Sequence, residues 1–593
     1  GYVLPCLWPG YEHMQVVLGI NYQQLIYNPE IQEKLDQSLY ALVSHAAGNY
    51  VAPGTGIIHK AIYPKTIDEI RNTLEALKAY PELTMDIEAF SLKFWEAGIG
   101  TMSIAIDKHH GVAFACDYKE FTQDTEDNGV KMYGSYVPNH PVRALLKDFF
   151  LTYPGRVTWH NAAYDVKVCI YTLFMDNLLD QRGLLDGLEV MTRLMDDTKV
   201  IAYLATNTTA GNVLGLKPLA HEFAGNWAKD DIKDIRLIPL PELLQYNLVD
   251  ALSTWFVKGK YYPIMVRDQQ EELYHSLFMP SQKLIIQMEL TGMPMSRKKI
   301  AAAKAELEAI RDKYHAIIVG NKTIQAMQLV QQTKVWEKDY ETRLAKSKTG
   351  KIKQKTLQDF SHVEFNPGSP LQLQTLLYEL MGLPVLDYTE TKQPATGAET
   401  LEKLINHTQL PEYQEILKAL IEHAKVTKIL STFIPAFEGA ISKDNSDTVW
   451  LHGSFNLGGT VSGRLSSSDP NLQNIPAGST YGKLIKSCFL GPVGWLFCGA
   501  DFNSLEDYIS ALTTKDPNKL RVYTQGYDGH CLRAFYYFKH RLPDIEEAPE
   551  GVPCYKANVG GTDVYFHAEE QVEYLGTQYT GKDLYEILTS SGI

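Results

Sequence analysis

The chain has 593 residues, of which 45% are hydrophobic and 21% are charged, and its formal net charge is −14. A length of this order predicts three to five domains at roughly 100–200 residues each, and the composition is that of a globular protein. No apolar run reaches the ~18–20 residues that span a bilayer, and the first residues lack the pattern of a signal peptide. The seven cysteines are scattered with no CxxC spacing, which favours a reduced, intracellular protein without a membrane partner.

Strand signals begin near Leu83, after an amino-terminal region, residues 1–80, that carries no usable motif. The runs LTMDIEAF, GTMSIAID and VAFACDY are separated by turn residues, which predicts a meander. RVTWHN adds a fourth strand, and the apolar spacing of AAYDVKVCIYTLFMDNLL and PELLQYNLVDALSTWFVKGKYY predicts two helices. Residues 81–262 are therefore predicted to form a mixed α/β domain.

Residues 263–440 are predicted to be mostly helical. The segment RKKIAAAKAELEAIRDKYHAII is rich in good helix formers, and KSKTGKIKQKT is predicted to be a mobile basic loop. From Arg297 to Lys355 there are fifteen Lys or Arg residues against six Asp or Glu, a local net charge of +9. We call this stretch the basic arm. It indicates contact with a nucleic-acid backbone, and a solvated helical face is the alternative.

Strand signals return after residue 447, in TVWLHGSFNLGG, TVSGRLSSSDPNLQNIP and LIKSCFLGPVGWLFCGADF, before a helix in SLEDYISALTT. The last fifty residues are acidic, with short aromatic strand segments and Gly turns, and predict a small insertion. The run from Thr460 to Pro476, which we call the polar loop, is too polar for a core and too long for a simple turn. It predicts a surface that meets a partner.

Two carboxylates share a face of the first predicted strand. Asp86 and Glu88 lie two residues apart, so their side chains point the same way and repel unless a cation joins them. Mg²⁺ and Mn²⁺ prefer such hard oxygen ligands. Asn161 and Asp165 lie four apart in one predicted helix, and Tyr246 and Asp250 lie four apart in a later one. A lone DxE is typical of a solvated strand edge, but the ordered set is far more specific.

This ordered set resembles the DxE, Nx₃D and Yx₃D motifs of the DnaQ-like 3′–5′ exonucleases, which have a ribonuclease-H-like fold. The resemblance implies that Asp86, Glu88, Asp165 and Asp250 hold two Mg²⁺ or Mn²⁺ ions, which activate water and stabilise the leaving 3′ oxygen. It also implies that Tyr246 orients the attacking water and that Asn161 contacts DNA.

The polar loop resembles the T-G-R-L-S-S…P-N-L-Q-N-I-P signature of family A DNA polymerases, the DNA polymerase I type, with Ser462 in place of the usual Thr. Arg464 suits a bidentate contact with a phosphate. Gln473 and Asn474 suit minor-groove acceptors, which are nearly alike for all base pairs. The expected partner is a primer–template duplex bound without regard to its sequence.

The segment FCGADFNSLEDYISAL resembles motif A of the same family, D-Y-S-Q-I-E-L-R. The resemblance implies that Asp501 is a catalytic, metal-binding carboxylate at a strand end and that Glu506 limits the sugar 2′ position of the nucleotide. Asp528 and His530 match the D-x-H that follows motif A. Several positions depart from the usual motif, and Tyr508 stands where the family has Arg. MELTGMPM and FNPGSPLQL resemble thumb motifs of the family and lie on either side of the basic arm, which favours a thumb that grips duplex DNA.

The resemblance implies an α/β multidomain chain, in which a ribonuclease-H-like exonuclease domain is followed by a helical thumb and a partial palm and fingers. A compact plan of this kind looks bacteriophage-like. The predicted ranges are an N-terminal region of unknown role at 1–80, the exonuclease at 81–262, the thumb-like region at 263–440, a partial palm at 441–512 and the start of the fingers with an insertion at 513–593.

Two further motifs of the family are not found. These are motif B, R-x₃-K-x₇-YG, and the H-D-E of motif C, whose Asp is the second metal ligand for polymerisation. Because one carboxylate does not hold a two-metal clamp, the chain alone is expected not to polymerise. A fragment, a subunit of a split polymerase and an intein-interrupted precursor all remain open, and the first residue, Gly rather than Met, favours a trimmed or partial chain.

The leading interpretation is a template-directed DNA polymerase with a 3′–5′ proofreading exonuclease. Its expected partners are primer–template DNA and single-stranded 3′ ends, dNTPs only with the missing carboxyl-terminal part, and a possible second polymerase chain. The alternatives are a stand-alone metal-dependent exonuclease and a non-catalytic DNA-binding replication scaffold. The expected location is the cytoplasm, that of the host if the protein is viral.

Overall fold

A computed structural model gives the structure of the chain, which divides into two compact units, Gly1–Trp495 and Leu496–Ile593. The residues that the structure describes are 2–27, 31–206, 213–227, 232–346, 352–353, 355–476, 480–525, 529–541, 545–547, 553–559, 562–567 and 570–590.

A six-stranded mixed sheet organises the first part of the larger unit. Its strands, in spatial order, are Met195–Asp197, Arg156–Trp159, Glu82–Glu88, Thr101–Ala105, His110–Ala115 and Lys60–Ile62. The central strand Glu82–Glu88 pairs antiparallel with Thr101–Ala105, which in turn pairs antiparallel with His110–Ala115. The predicted meander is therefore confirmed. On its other edge the central strand runs parallel to Arg156–Trp159.

Helices cover both faces of the sheet, because its strands bury apolar side chains on both sides. Leu83, Met85 and Trp159 are fully buried in the main core. A long helix, Leu240–Arg267, lies across the central strands, where Thr84 Oγ1 donates a hydrogen bond of 2.7 Å to the Ala251 carbonyl. The other helices described in this region are Ile67–Leu77, Phe94–Ala97, His140–Thr152, Ala162–Phe174, Gln181–Thr192, Thr198–Ala205, Leu216–Leu219, His221–Ala224 and the 3-10 turn Ile235–Leu237. A hairpin is formed by Tyr118–Asp127 and Val130–Tyr136.

Local signals set the ends of several of these helices. At Ile67–Leu77, the Thr66 hydroxyl accepts from the Glu69 N–H while the Glu69 carboxylate accepts from the Thr66 N–H, a complete capping box. The same helix buries Ile70, Leu74 and Leu77, at the spacing of one helical face. The amino-terminal residues form a short pair of strands, Val3–Pro5 and Gln15–Val17, and the helices Gln24–Tyr27 and Gln32–Ala46.

The middle of the chain is helical, as predicted. Helix Met279–Thr291 still packs on the main core through Ile286 and Leu290, and the long helix runs past residue 262, the predicted end of the exonuclease domain. The helical elements here are Glu271–Leu273, the π turn Tyr274–Phe278, Met279–Thr291, Arg297–Gly320, Lys322–Lys346, the 3-10 turn Leu357–Phe360, Pro370–Gln374, the π turn Thr375–Leu380, Ala398–Ile405 and Pro411–Glu438. Most of the predicted mobile loop KSKTGKIKQKT lies outside the described residues.

Two small antiparallel pairs follow. Met293–Ser296 pairs with Thr448–Leu451, and Ser454–Asn456 pairs with Ser466–Ser468. A 3-10 turn, Leu472–Asn474, and the helix Thr480–Lys486 complete the larger unit.

The first elements described in the smaller unit are the helices Leu505–Thr514, Pro517–Thr524 and Gly529–Phe538 and the 3-10 turn Lys539–Arg541. Its later residues form the strands Ile545–Glu547, Pro553–Val559, Thr562–Phe566, Gln571–Tyr574 and Thr577–Thr580, followed by the helix Gly581–Ser590. The short strands predicted for the last fifty residues are confirmed.

One strand prediction is wrong. LIKSCFLGPVGWLFCGADF begins inside the helix Thr480–Lys486, and no strand is assigned to the described residues 487–504. Leu496 and Phe497 are exposed, and no described strand pairs with them. An apolar run becomes a strand only when a neighbouring edge satisfies its backbone groups.

No helix in the described part of the chain is long and apolar enough to cross a membrane.

Candidate metal centre and nucleic-acid interface

The central strand brings two carboxylates to one face of the sheet. Asp86 and Glu88 are half-buried and alternate with the buried Met85 and Ile87, as a strand period of two requires. Asp250 reaches the same place from the long helix, so that one oxygen each of Asp86, Glu88 and Asp250 lie within 4.8 Å of one another. Such a set of carboxylate oxygens fits a divalent cation such as Mg²⁺ or Mn²⁺.

Asp165 adds a fourth negative charge to this group. It lies buried in the first turn of the helix Ala162–Phe174, and its charge raises the pKa values of Asp86 and Glu88. We call Asp86, Glu88, Asp165 and Asp250 the acidic cluster. The cluster brings together the carboxylates of the three predicted motifs, although Asp86 and Asp250 are 164 positions apart in the sequence.

Burial and mutual repulsion shift the pKa values of the cluster upward. For Asp86, Glu88 and Asp165, burial is the larger cause and neighbouring carboxylates add to it, so each pKa lies well above its ordinary value. Burial raises the pKa of Asp250 to about 7, while Lys217 and a hydrogen bond from Tyr246 oppose this shift. A divalent cation would favour the ionised form of all four carboxylates.

Tyr246 contacts Asp250 on the long helix. The two residues are one helical turn apart, and the Tyr246 hydroxyl donates to the Asp250 carboxylate. Lys217 Nζ lies 5.6 Å from the centre of the Tyr246 ring, within the range of a cation–π contact. The phenol is thus held at the edge of the acidic cluster.

Asn247 and Lys217 are parts of the site that the motif analysis missed. Asn247 Nδ2 donates a hydrogen bond of 2.6 Å to Asp86 Oδ2, and Asn247 Oδ1 accepts one of 3.0 Å from Thr101 Oγ1. Because Asn247 precedes Asp250 by three residues, helical spacing offered a signal for it. Nothing local marked Lys217.

The prediction that Asn161 and Asp165 share a helix face is wrong. Asn161 has a left-handed backbone, with φ 62°, and the helix begins one residue later at Ala162. The N–H groups of Asn161 and Ala162 each donate a 2.9 Å hydrogen bond to the buried Asp197 carboxylate. The Asn161 side chain accepts one of 3.1 Å from Lys199 Nζ. The Asp197 anchor takes the backbone at Asn161 out of the helix.

The polar loop is anchored from beneath and polar on its surface. Leu472 packs against the core beside Gly453, and Ser467 Oγ accepts a 3.2 Å hydrogen bond from the Leu472 N–H. Tyr203 donates a 2.9 Å hydrogen bond to the Thr460 carbonyl, which fixes the start of the loop. The side chains predicted to bind DNA, Arg464, Gln473 and Asn474, are exposed.

The basic arm forms the helices Arg297–Gly320 and Lys322–Lys346, and part of its charge is paired within the chain. Lys304 pairs with Glu438 at 2.8 Å, and Arg343 pairs with Asp339 at 2.6 Å. The cations in 347–351 lie outside the described residues.

In the smaller unit, Asp501 is exposed and has no strand around it, so the predicted strand end is wrong. Glu506 lies in the first turn of Leu505–Thr514, and His530 lies at the start of Gly529–Phe538. Asp528 is outside the described residues. Within the described chain, the acidic cluster supplies the one group of carboxylates close enough to hold a metal, and Asp501 is not in it.

Asp507 is the better-connected acid of this unit. Its carboxylate accepts hydrogen bonds from Tyr523 at 2.6 Å, Lys519 at 3.0 Å and Arg533 at 3.2 Å, which joins the helices Leu505–Thr514, Pro517–Thr524 and Gly529–Phe538. These contacts hold the pKa of Asp507 well below its usual range. The resemblance to motif A gave no signal for this role of Asp507.

Comparison with known proteins points to one family. Residues 336–548 match the model of DNA polymerase family A. DNA polymerase I of Geobacillus stearothermophilus is 26% identical over 68% of this chain and 40% of the relative, and the thermostable DNA polymerase I of Thermus caldophilus is 27% identical over 67% of this chain and 40% of the relative. DNA polymerase I of Pseudomonas aeruginosa is 35% identical over 32% of this chain and 20% of the relative.

The fold has a counterpart among solved structures. The POL domain of Pol1 from M. smegmatis, solved in complex with DNA primer-template and dNTP, aligns with a TM-score of 0.55 and 18% identity. The alignment covers 83% of this chain and 69% of that one. The chain spans 40% or less of the length of the first curated relatives that it matches.

Proposed function

Because this chain belongs to family A of the DNA polymerases, we propose that it is the proofreading and duplex-binding part of a template-directed DNA polymerase. Its own chemistry is the hydrolysis of single-stranded DNA from the 3′ end. The observation that carries this proposal is the acidic cluster, in which three carboxylates from a strand and a distant helix lie within 4.8 Å.

The strand order supports a ribonuclease-H-like arrangement for residues 81–262. An antiparallel hairpin flanks the central strand on one side and parallel strands on the other, which leaves Asp86 and Glu88 at the middle of the sheet. The same proposal includes three further regions: a thumb-like region at 263–440, a partial palm at 441–512 and the start of the fingers with an insertion at 513–593. A bacteriophage-like origin and a cytoplasmic location belong to it as well.

Asp86, Glu88, Asp165 and Asp250 would hold the metal ions, two in number in this proposal. Bound Mg²⁺ or Mn²⁺ supplies Lewis acidity and lowers the pKa of a water molecule toward neutrality. Asn247 fixes the orientation of the Asp86 carboxylate by its 2.6 Å hydrogen bond. Tyr246, which contacts Asp250, would orient the attacking water, and Lys217, whose charge acts on Glu88 and Asp250, would add positive charge beside the phosphate that is cleaved.

Duplex DNA is the partner proposed for the polar loop and the basic arm. Arg464 would contact a phosphate, while Gln473 and Asn474 would face the minor groove, where acceptors are alike for all sequences. Asn161 would contact the single strand. The solved neighbour holds primer-template DNA and dNTP, and for this chain the dNTP partner, with Asp501, Glu506 and His530 around it, is proposed to require motifs B and C from elsewhere.

The exonuclease is tested with a 5′-labelled single strand. The double variant Asp86→Ala with Glu88→Ala is expected to reduce hydrolysis to the rate of EDTA-treated protein, because two of the metal ligands are gone. The matched control removes two exposed acids, Asp68 and Glu75, from the helix Ile67–Leu77 and is expected to keep the wild-type rate. Hydrolysis by the Asp86/Glu88 variant at the wild-type rate would show that the site is assigned wrongly.

A primer-extension assay tests the polymerase part. The printed sequence contains no His-Asp-Glu tripeptide, so the 593-residue chain is expected to add no nucleotide to a primer. Incorporation on addition of a chain that carries motifs B and C would support a polymerase function. Incorporation by the 593-residue chain alone would contradict the proposal that it lacks the second metal-binding carboxylate.

A further inference from the structure

A cavity of about 650 Å³ lies beside the acidic cluster and is bounded by two distant parts of the chain. Lys217, Asp250 and Lys260 line it from the exonuclease region, and Lys34 and Gln37 line it from the amino-terminal helix Gln32–Ala46. The volume falls within the ~300–1,000 Å³ of cavities that bind small ligands. The N-terminal region therefore forms one wall of a cavity that Asp250 of the acidic cluster also lines.

Several contacts hold this wall in place. The Tyr2 hydroxyl donates to the Pro53 carbonyl at 3.4 Å and accepts a short hydrogen bond from the Asn226 N–H. The Tyr2 ring meets His221 edge to face, with the ring centres 5.7 Å apart. In addition, the Gly54 N–H donates a 3.1 Å hydrogen bond to the Phe223 carbonyl. The wall is thus tied to 221–226, a segment that borders the same cavity.

The two backbones approach more closely than any side chain would permit. A Cβ at Gly225 would lie 2.3 Å from the Pro53 carbonyl oxygen, and one at Gly54 would lie 2.3 Å from the Ala224 carbonyl oxygen. Both glycines have positive φ values, 63° and 87°. Glycine permits both the positive φ values and the close approach, so the two backbones pack directly against each other.

The chemistry of the cavity fits a nucleotide. Lys34, Lys217 and Lys260 place three cations around it, and apolar side chains such as Leu219, Trp227 and Tyr261 supply surface for a base and a sugar. Lys260 is paired with Glu222 at 2.9 Å, and the charge of Lys217 acts on Glu88 and Asp250. Lys34 is the lysine that the N-terminal wall contributes, and it is exposed at the surface of its helix.

We propose that the N-terminal region completes the nucleotide site of the exonuclease and that Lys34 binds the phosphate of a nucleoside 5′-phosphate there. The ligand is either the 3′-terminal part of a single strand or the mononucleotide released from it. This inference rests on the exonuclease function proposed above. It gives residues 1–80, which carry no motif, a role in substrate binding.

Binding to the full chain tests the proposal without hydrolysis. Deoxyadenosine 5′-monophosphate and a single-stranded oligonucleotide are titrated separately in Ca²⁺, which the carboxylates can bind. Lys34→Ala is expected to weaken binding about threefold to fivefold, the effect of one solvent-exposed ionic contact. Lys34→Arg should restore binding. The control Lys65→Ala removes an exposed lysine that does not line the cavity and should leave binding unchanged.

Kinetics add a readout that a change in stability alone would not produce. Lys34→Ala should raise KM for the single strand by a similar factor and leave kcat unchanged, because its contact is made equally before and during the reaction. A weaker effect on the mononucleotide than on the oligonucleotide would assign Lys34 to the strand, and equal effects would assign it to the released product. A thermal melt shows that the variant is folded, which alanine in an exposed helix position favours.

Two results would overturn the proposal in different ways. Equal affinity of wild type and Lys34→Ala for both ligands would show that Lys34 does not bind the nucleotide, and it would not affect the proposed exonuclease function. Absence of hydrolysis by the wild type, together with Lys34-dependent binding, would overturn the exonuclease function and keep the nucleotide cavity.

Discussion

At the scale of single residues, the acidic cluster depends on side chains that contribute no charge. The Asn247 side chain donates a hydrogen bond to Asp86 and accepts one from Thr101. The backbone carbonyl of Asn247 accepts a further hydrogen bond of 2.8 Å from Ser103 Oγ. The amide opposes the rise in the Asp86 pKa that burial causes. Polar residues of this kind orient metal ligands and set how easily they ionise.

Asn247→Ala is expected to weaken Mg²⁺ activation about tenfold or more, because Asp86 loses the donor that orients it. The measurement is hydrolysis of a labelled single strand as a function of Mg²⁺ concentration. Gln245→Ala, an exposed position on the same helix, is the matched control and should behave as wild type. An unchanged Mg²⁺ dependence in Asn247→Ala would mean that Asp86 needs no such support.

The raised pKa of Asp250 makes the stability of the metal-free protein depend on pH. Its pKa is about 7 in the fold against an ordinary 3.8. A carboxyl with a higher pKa in the folded than in the unfolded protein binds a proton on folding. Its contribution to the free energy of unfolding is therefore greatest at pH values below its ordinary pKa and is lost as pH rises through about 7. The Tm of EDTA-treated protein is expected to fall over this window.

Comparison with Asp250→Asn isolates this contribution, because the amide does not titrate. The fall in Tm between about pH 4 and pH 7 should be smaller in the variant than in wild type. Mn²⁺ should raise the Tm of wild type more above this window than within it, since a metal binds the ionised carboxylates. Parallel pH profiles for the two proteins would contradict the assignment of the shift to Asp250.

At the scale of elements, the site depends on close contact between the long helix and the sheet. The helix carries Tyr246, Asn247 and Asp250, and the central strand carries Asp86 and Glu88. Gly111 on the strand His110–Ala115 permits this approach: a Cβ there would lie 2.8 Å from Leu248 Cδ1 and 2.7 Å from the Ile104 carbonyl oxygen. The distance between helix and strand therefore sets whether the carboxylates meet.

Gly111→Ala is expected to lower the free energy of unfolding by about 1–3 kcal/mol, because the added methyl group has no space. Gly259→Ala is the control on the long helix itself, where a Cβ would meet nothing within 4 Å. That change should raise stability by about 0.5–1 kcal/mol, since alanine favours the helix. Urea denaturation measures both, and a neutral Gly111→Ala would show that helix and sheet separate easily.

The polar loop illustrates a second element-scale result. Its motif suggests a run of solvent-facing polar groups, yet the half-buried Leu472 packs against the core and the hydroxyl of the buried Ser467 accepts a hydrogen bond from the Leu472 N–H. A strand pair, Ser454–Asn456 with Ser466–Ser468, closes it at the base. The exposed side chains are therefore presented on a fixed frame.

At the scale of the whole molecule, the net charge is −14, yet part of the surface is proposed to bind DNA. Arg464→Ala is expected to weaken binding to a primer–template duplex about fivefold, by a similar factor for different sequences, and to reduce the salt dependence by about one phosphate contact. Arg182→Ala, an exposed arginine on the helix Gln181–Thr192, is the control. A loss of affinity that differs between DNA sequences would contradict a contact of Arg464 with the DNA backbone.

The sequence by itself determined the elements and the types of residue in the site. Strand and helix periodicity depends on neighbours a few positions apart, so the meander, the long helices and the shared face of Asp86 and Glu88 were predictable. The family relationship was also predictable, because the polar-loop signature is continuous in the chain. The strand wrongly predicted at residue 501 lacks a neighbouring strand. Asn161, wrongly predicted to share a helix face with Asp165, lies just before its helix because its backbone N–H donates a hydrogen bond to the distant Asp197.

Only the tertiary structure decided which residues complete the site. Asn247 meets Asp86 across 161 positions, and Asp197 reshapes the backbone at Asn161 across 36. Lys217 and Lys34 line the same cavity as Asp250 without any shared motif. The physical reason is that burial, pKa shifts and cavity walls depend on distances in space, and these distances are set by the packing of elements that no local pattern encodes.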